Sequence, residues 1–173
     1  VVDQSIEKLP GVSVDNMANL SSMAGVSSKS RVTENDVDFS NPDQFIASLY
    51  PLAKQVEQET GIDARLMLAQ SALETGWGQH QIMKENGGPS FNLFGIKAQQ
   101  DWQGEAAEIT TTEYRQGVAM KERANFRAYD SYGESFEDYA QFLKNNERYQ
   151  HALEFMDDPK AFAEQLQSSG YAT

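Results

Sequence analysis

The chain has 173 residues, 26 acidic against 14 basic side chains, a formal net charge of −12 and no cysteine. That length allows one domain with a sizeable core plus a tail, and the absent thiols exclude disulfide and thiolate chemistry. The charge excludes the basic footprint that nucleic acid needs and opposes docking on anionic membrane lipid.

Residues 1–40 read as a flexible linker, with Ser21, Ser22, Gly25, Ser27, Ser28 and Ser30 clustered and no sustained period. The domain is expected over 41–173. It opens at Asn41-Pro42-Asp43, a capped helix start, and Phe45, Leu49, Ala53 and Val56 recur on one face up to Gly61. Pro51 inside this pattern predicts a kink or a split. Ile62, Leu66, Ala69 and Leu73 mark a second helix, capped by Asp63 and stopped by Gly76 and Gly78. A short helix is expected from about 79 to 85, then a break at Asn86-Gly87-Gly88-Pro89 and an apolar loop through Phe91 to Ile96.

Ile109 to Tyr114 is rich in strand formers, Gln116-Gly117 suits a turn, and Val118 to Tyr129 supplies a returning strand. Helices resume near Glu134 with Phe136, Ala140 and Leu143 buried. One more covers roughly 147–155, and a last one starts at Asp158-Pro159, burying Phe162 and Leu166. The fold class is α+β, mostly helical, with a single β excursion.

Glu74 is the first candidate for chemistry. It sits in the last turn of the second helix, where the dipole end and partial burial both disfavour the ionised form. A carboxyl that keeps its proton near neutral pH is what general-acid cleavage of a glycosidic bond requires. Glutamates at helix ends are ordinarily solvated; the Gly76-Trp77-Gly78 that follows, a flat ring on closely approachable backbone, sets this one apart. Glycoside hydrolysis usually takes a second acid. Glu113 on the hairpin is the candidate, with Glu108, Glu137 and Asp138 as alternatives. Trp77, Phe91, Tyr129 and Tyr132 are candidate sugar platforms and Asn92 a candidate hydroxyl partner, while Phe94 and Phe126 read as core. Trp102 reads as a loop anchor or an outer subsite. His80 and His151 read as surface residues, so no metal and no other cofactor is expected.

The runs Ala69-Gln70-Ser71-Ala72-Leu73-Glu74-Thr75-Gly76-Trp77-Gly78, Asn92-Leu93-Phe94-Gly95-Ile96-Lys97 and Ile109-Thr110-Thr111-Thr112-Glu113-Tyr114 resemble the bacterial N-acetylglucosaminidase family that cuts peptidoglycan. Phe126-Arg127-Ala128-Tyr129 and Gly170-Tyr171-Ala172-Thr173 extend the resemblance, which is closest to the family's flagellar member. It implies a lysozyme-like fold of two lobes, one a β-hairpin, around a glycan cleft. It also implies Glu74 as proton donor, Glu113 as second acid, and peptidoglycan glycan strands as substrate, cut after N-acetylglucosamine. Location in the periplasm and flagellar rod proteins as partners, through a module outside this chain, follow from the same resemblance. The family domain continues past Gly-Tyr-Ala-Thr, so a C-terminally truncated domain is expected here. A lytic transglycosylase of the same fold and a non-catalytic wall-binding or rod-scaffold module are the alternatives.

Overall fold

The computed structural model describes residues 37–171; all but the last four residues of the linker expected over 1–40 lie outside them. Five helices, α1 (Pro42–Thr60), α2 (Ala64–Thr75), α3 (Tyr132–Asn145), α4 (Gln150–Leu153) and α5 (Pro159–Ser168), enclose one core, with a hairpin of β1 (Ala106–Arg115) and β2 (Val118–Arg127) inserted between α2 and α3. The class is the expected one, α+β and mostly helical.

The Asn41 side chain accepts from the Gln44 N–H at 3.0 Å to start α1, and Gly61, at φ +79°, ends it. The helix runs unbroken through Pro51, where the sequence predicts a kink or split. Phe45 and Leu49 before the proline and Ala53 and Val56 after it are buried in the same core. Their packing keeps both halves helical although the ring withholds one N–H. α2 starts and stops where its caps predict: Asp63 accepts from the Arg65 N–H at 2.8 Å, and Gly76 turns left-handed at φ +55°.

The helix expected at 79–85 is absent. The left-handed turn through Gly76 and Gly78 is closed by the His80 N–H on the Thr75 carbonyl at 2.8 Å. The chain then runs out to an isolated antiparallel bridge between Met83 and Pro89. Helix-forming composition in this stretch yields to that reversal.

Residues 37–40, assigned to the linker from sequence, pack on the domain. The Asp38 N–H donates to Ser48 Oγ at 2.9 Å, and the Phe39 ring lies 5.2 Å from Phe45 and 5.5 Å from Tyr132. Gly78 sits directly against that ring, where a Cβ would meet Phe39 carbons at 2.6–2.8 Å. Its φ of +82° adds backbone strain for any other residue. Gly78→Ala is therefore expected to cost about 2 kcal/mol of stability, measured by chemical denaturation. A cost below about 0.5 kcal/mol would mean that Phe39 yields freely.

β1 and β2 pair antiparallel from Ala106↔Arg127 to Arg115↔Val118. The connecting Gln116 and Gly117 both take positive φ, +52° and +80°, as the twist of a two-residue hairpin demands. At its base the hairpin is stitched to the preceding loop: Lys97 bridges Phe126, and the Arg127 N–H donates to the Ile96 carbonyl at 2.9 Å. The far half is exposed, with Tyr114, Val118 and Met120 open to solvent. The hairpin is thus an arm held at its root.

Phe45, Leu66, Met67, Phe94, Phe136, Tyr139, Leu143, Phe162 and Leu166 are among the fully or nearly fully buried side chains of the core. The helix expected at 147–155 is a 3-10 turn, Glu147–Tyr149, followed by α4. Among the described residues no helix is long and apolar enough to cross a membrane.

Candidate active site

Glu74 stands on the last turn of α2 and is only partly exposed. Desolvation raises its pKa from 4.5 to about 8, and the Gln70 amide, donating Nε2–H to Oε1 at 3.0 Å, opposes that shift. Burial is the first of these causes and it wins, so the carboxyl carries its proton at neutral pH. Gln70 lies one turn back, at the spacing where helix side chains meet, and is itself buried.

Two further tyrosines, Tyr139 of α3 and Tyr171, are buried in the core. Burial pushes both phenols well above their ordinary value. The Tyr171 hydroxyl donates to the Phe94 carbonyl at 2.6 Å. Tyr139 stacks flat on Phe94, with ring centroids 3.9 Å apart and planes 4° apart, and its hydroxyl has no hydrogen-bond partner. Tyr171 lies in the Gly170-Tyr171-Ala172-Thr173 run noted in the sequence, while no sequence signal marks Tyr139.

The expected sugar platforms meet different fates. Trp77 and Phe91 are half-buried and both hold φ +59°, a strained value for residues with a Cβ. The Trp77 edge meets Phe45 at 5.8 Å and Phe91 meets Tyr132 at 4.9 Å, so with Phe39 they form a chain of rings over α1. Tyr132 is 7% exposed and donates its hydroxyl to Gln81 Oε1 at 2.7 Å. Tyr129, 6% exposed, gives its hydroxyl to Asp138 Oδ2 at 2.5 Å. Both tyrosines stand as walls with their polar ends engaged.

Asn92 corrects its expected role. Its Nδ2 donates to the Ile96 and Arg127 carbonyls at 3.0 and 2.9 Å, and its Oδ1 accepts from the Phe94 and Ile96 N–H groups at 3.2 and 3.3 Å. All four hydrogen-bonding positions of the amide are used inside the protein, which leaves none for a substrate hydroxyl. Asn92 is the pin that joins the Phe91–Ile96 loop to the root of the hairpin.

Arg127 was not singled out in the sequence and organises that root. It ion-pairs with Asp138 at 3.0 Å, donates Nε–H to the Lys97 carbonyl at 3.2 Å, and lies 4.7 Å from the centre of the Trp102 ring. Asp138, an alternative second acid, is thereby committed to Arg127 and Tyr129. Trp102 takes the loop-anchor role of its two readings, with Nε1–H on the Glu105 carbonyl at 2.7 Å. A concavity of 530 Å³ opens beside this cluster, lined by Gln99, Asp101, Arg127, Asp138, Phe142 and Asn145, among others. Glu113 lies on β1 opposite Met120, and its side chain is outside the described part of the structure. Among the described residues no three metal-ligating side chains converge.

Comparison with known proteins decides the family. Residues 50–173 match the glucosaminidase family, described as mannosyl-glycoprotein endo-beta-N-acetylglucosaminidase. The chain belongs to the glucosaminidase family. This glucosaminidase domain is 49% identical over 135 residues to the peptidoglycan hydrolase FlgJ of Pseudomonas aeruginosa, covering 78% of this chain and 34% of that protein. It is 49% identical over 129 residues to FlgJ of Escherichia coli K12, covering 75% and 41%. The chain thus spans well under half the length of these relatives. Among solved structures, the C-terminally truncated glycoside hydrolase domain of Salmonella typhimurium FlgJ superposes with a TM-score of 0.64 at 45% identity, covering 76% of this chain and 87% of that one. The peptidoglycan hydrolase of Sphingomonas sp. A1 gives 0.64 at 42% identity, covering 75% and 78%.

Proposed function

We propose that this domain hydrolyses peptidoglycan glycan strands, with Glu74 as general acid. The observation that carries the reading is a carboxyl held protonated up to about pH 8 at the end of α2, in a glucosaminidase whose relatives are peptidoglycan hydrolases. Glu74 gives its proton to the glycosidic oxygen as the bond from that oxygen to the anomeric carbon of N-acetylglucosamine breaks. The muramyl hydroxyl leaves, and water supplies the hydroxyl that ends on the anomeric carbon. Glu113 is the second acid of this reading: it takes the proton of the attacking water, or supports a ring closed by the substrate's own acetamido oxygen. Trp77 and Phe91, partly exposed on strained backbone, are the rings left to meet sugar faces.

The likeness to FlgJ extends the proposal to the periplasm as the place of action and to opening the wall for the flagellar rod, with rod proteins as partners of the longer protein. The test is digestion of purified peptidoglycan, with mass and reducing-end analysis of what is released. Reducing N-acetylglucosamine ends are expected. Anhydro-muramyl ends would move the domain to the lytic transglycosylases, and intact wall after treatment with folded protein would overturn catalysis altogether.

A further inference from the structure

Ser48 is out of place on its helix. It sits on the face of α1 that buries Phe45 and Leu49, and it is itself buried. Packing on that face needs no hydroxyl, and a polar group taken out of water needs a partner. The Ser48 hydroxyl finds one outside the helix: Oγ accepts from the Asp38 N–H at 2.9 Å and donates to the Asp38 carbonyl at 3.2 Å. One side chain thus holds both backbone groups of a residue upstream of α1, and the next residue is Phe39.

That anchor places Phe39 against two different parts of the candidate site. On one side its ring lies 5.2 Å from Phe45, which meets Trp77 edge-on at 5.8 Å, and directly on Gly78, the residue after Trp77. The Phe39 carbonyl accepts from the side-chain amide of Gln79, one residue further on. On the other side the ring meets Tyr132 edge-on at 5.5 Å, and Tyr132 meets Phe91 at 4.9 Å. Trp77 and Phe91 are the two partly exposed rings, and both hold φ +59°. Trp77 does so inside a left-handed run, with Gly76 at +55° and Gly78 at +82°. A residue with a Cβ stays in that region only where its surroundings hold it there. α2 supplies part of the hold, through the Trp77 N–H on the Ala72 carbonyl at 3.0 Å. Phe39 closes on the turn from outside α2.

We infer that Phe39 is a positioning residue for sugar binding: hooked to α1 by Ser48, it clamps the Trp77 turn and, through Tyr132, the Phe91 ring, so that both rings are in place before a glycan strand arrives. A platform fixed in advance loses less of the binding free energy to its own ordering. Phe39 acts through these neighbours and not on the substrate. The inference rests on the reading of Trp77 and Phe91 as the rings that meet sugar faces.

The experiment measures cleavage of soluble, uncrosslinked glycan strands by wild type, Phe39→Ala, Phe39→Tyr, Ser48→Ala and Trp77→Ala, at a temperature where each is folded. Phe39→Ala is expected to raise KM about tenfold with kcat within about twofold, and Phe39→Tyr, which keeps the ring, to restore KM. Ser48→Ala, which only unhooks the anchor, should raise KM about threefold. Mere loss of stability would lower the active fraction, and with it kcat, and leave KM in place. Unchanged KM in Phe39→Ala and Ser48→Ala, with KM raised in Trp77→Ala, would overturn the inference and spare the platform reading. Unchanged KM in all three overturns both. A second arm needs no turnover: 5-fluorotryptophan gives one fluorine resonance each for the two tryptophans, Trp77 and Trp102. The Trp77 resonance should shift in Phe39→Ala and in Ser48→Ala, with Trp102 as the unmoved reference; a Trp77 resonance that stays in place overturns the clamp. If Phe39→Ala does not fold, Ser48→Ala carries both arms. Should wild type release no fragments, the hydrolase reading fails, and the fluorine shifts alone judge the clamp.

Discussion

Glu74→Gln is expected to lose at least about a thousandfold in turnover while keeping its fold, because the amide matches the acid in shape and has no proton to donate. The Gln70 amide can still donate to the new carbonyl oxygen, so the local packing survives. The pH dependence follows from the same group. The folded protein holds the Glu74 proton up to about pH 8, while an ordinary carboxyl releases it near 4.5. Between those values the native state binds a proton that the unfolded chain has lost, so stability falls as pH rises through this window. Wild-type activity should fall through the upper part of it. Glu74→Gln does not titrate there, and its melting temperature should overtake that of wild type as pH rises towards 9. Calorimetry from pH 4 to pH 9 checks the stability and peptidoglycan digestion checks the turnover. A variant that still cleaves the wall would remove Glu74 from the mechanism.

Asn92→Ala is expected to be the most damaging of the substitutions outside the acid, at about 3–4 kcal/mol. The amide caps two carbonyls and two N–H groups from three residues, Phe94, Ile96 and Arg127. Removing it strands those groups where the side chain was buried. The loss also frees the root of the hairpin, so activity should fall further than stability explains. Denaturant unfolding and a digestion assay at a temperature where the variant is folded separate the two effects. A cost near 1 kcal/mol would mean that water enters and takes over the four bonds.

The elements with local signatures were legible in the sequence. α2 carries its period and both caps within the segment itself, and the hairpin turn needs only Gln116-Gly117 between strand formers. What failed was decided at a distance. Pro51 reads as a break, but buried residues on both sides hold α1 together. Residues 79–85 are composed like a helix, yet the turn at Gly76–Gly78 spends the backbone bonds that would start one. The site divides in the same way. The place of Glu74 in the last turn of α2 was readable from the sequence, and Gln70 was readable in principle from its one-turn spacing. Tyr139 and Tyr171 are brought together on Phe94 only by tertiary folding. Asn92 was misjudged because a polar residue in an apolar loop looks the same from the sequence whether its partners are sugar hydroxyls or the protein's own backbone.

The bond from Tyr171 to the Phe94 carbonyl spans 77 residues of chain. Phe94 itself stacks on Tyr139 and meets Phe136, so the carbonyl that Tyr171 engages belongs to the core. A ribosome or an export channel delivers the chain from its N-terminal side. Phe94 therefore emerges well before the residue that closes the bond on its carbonyl. Until Tyr171 arrives, the Phe94 carbonyl is without that partner. This part of the core is complete only when two segments 77 residues apart have met.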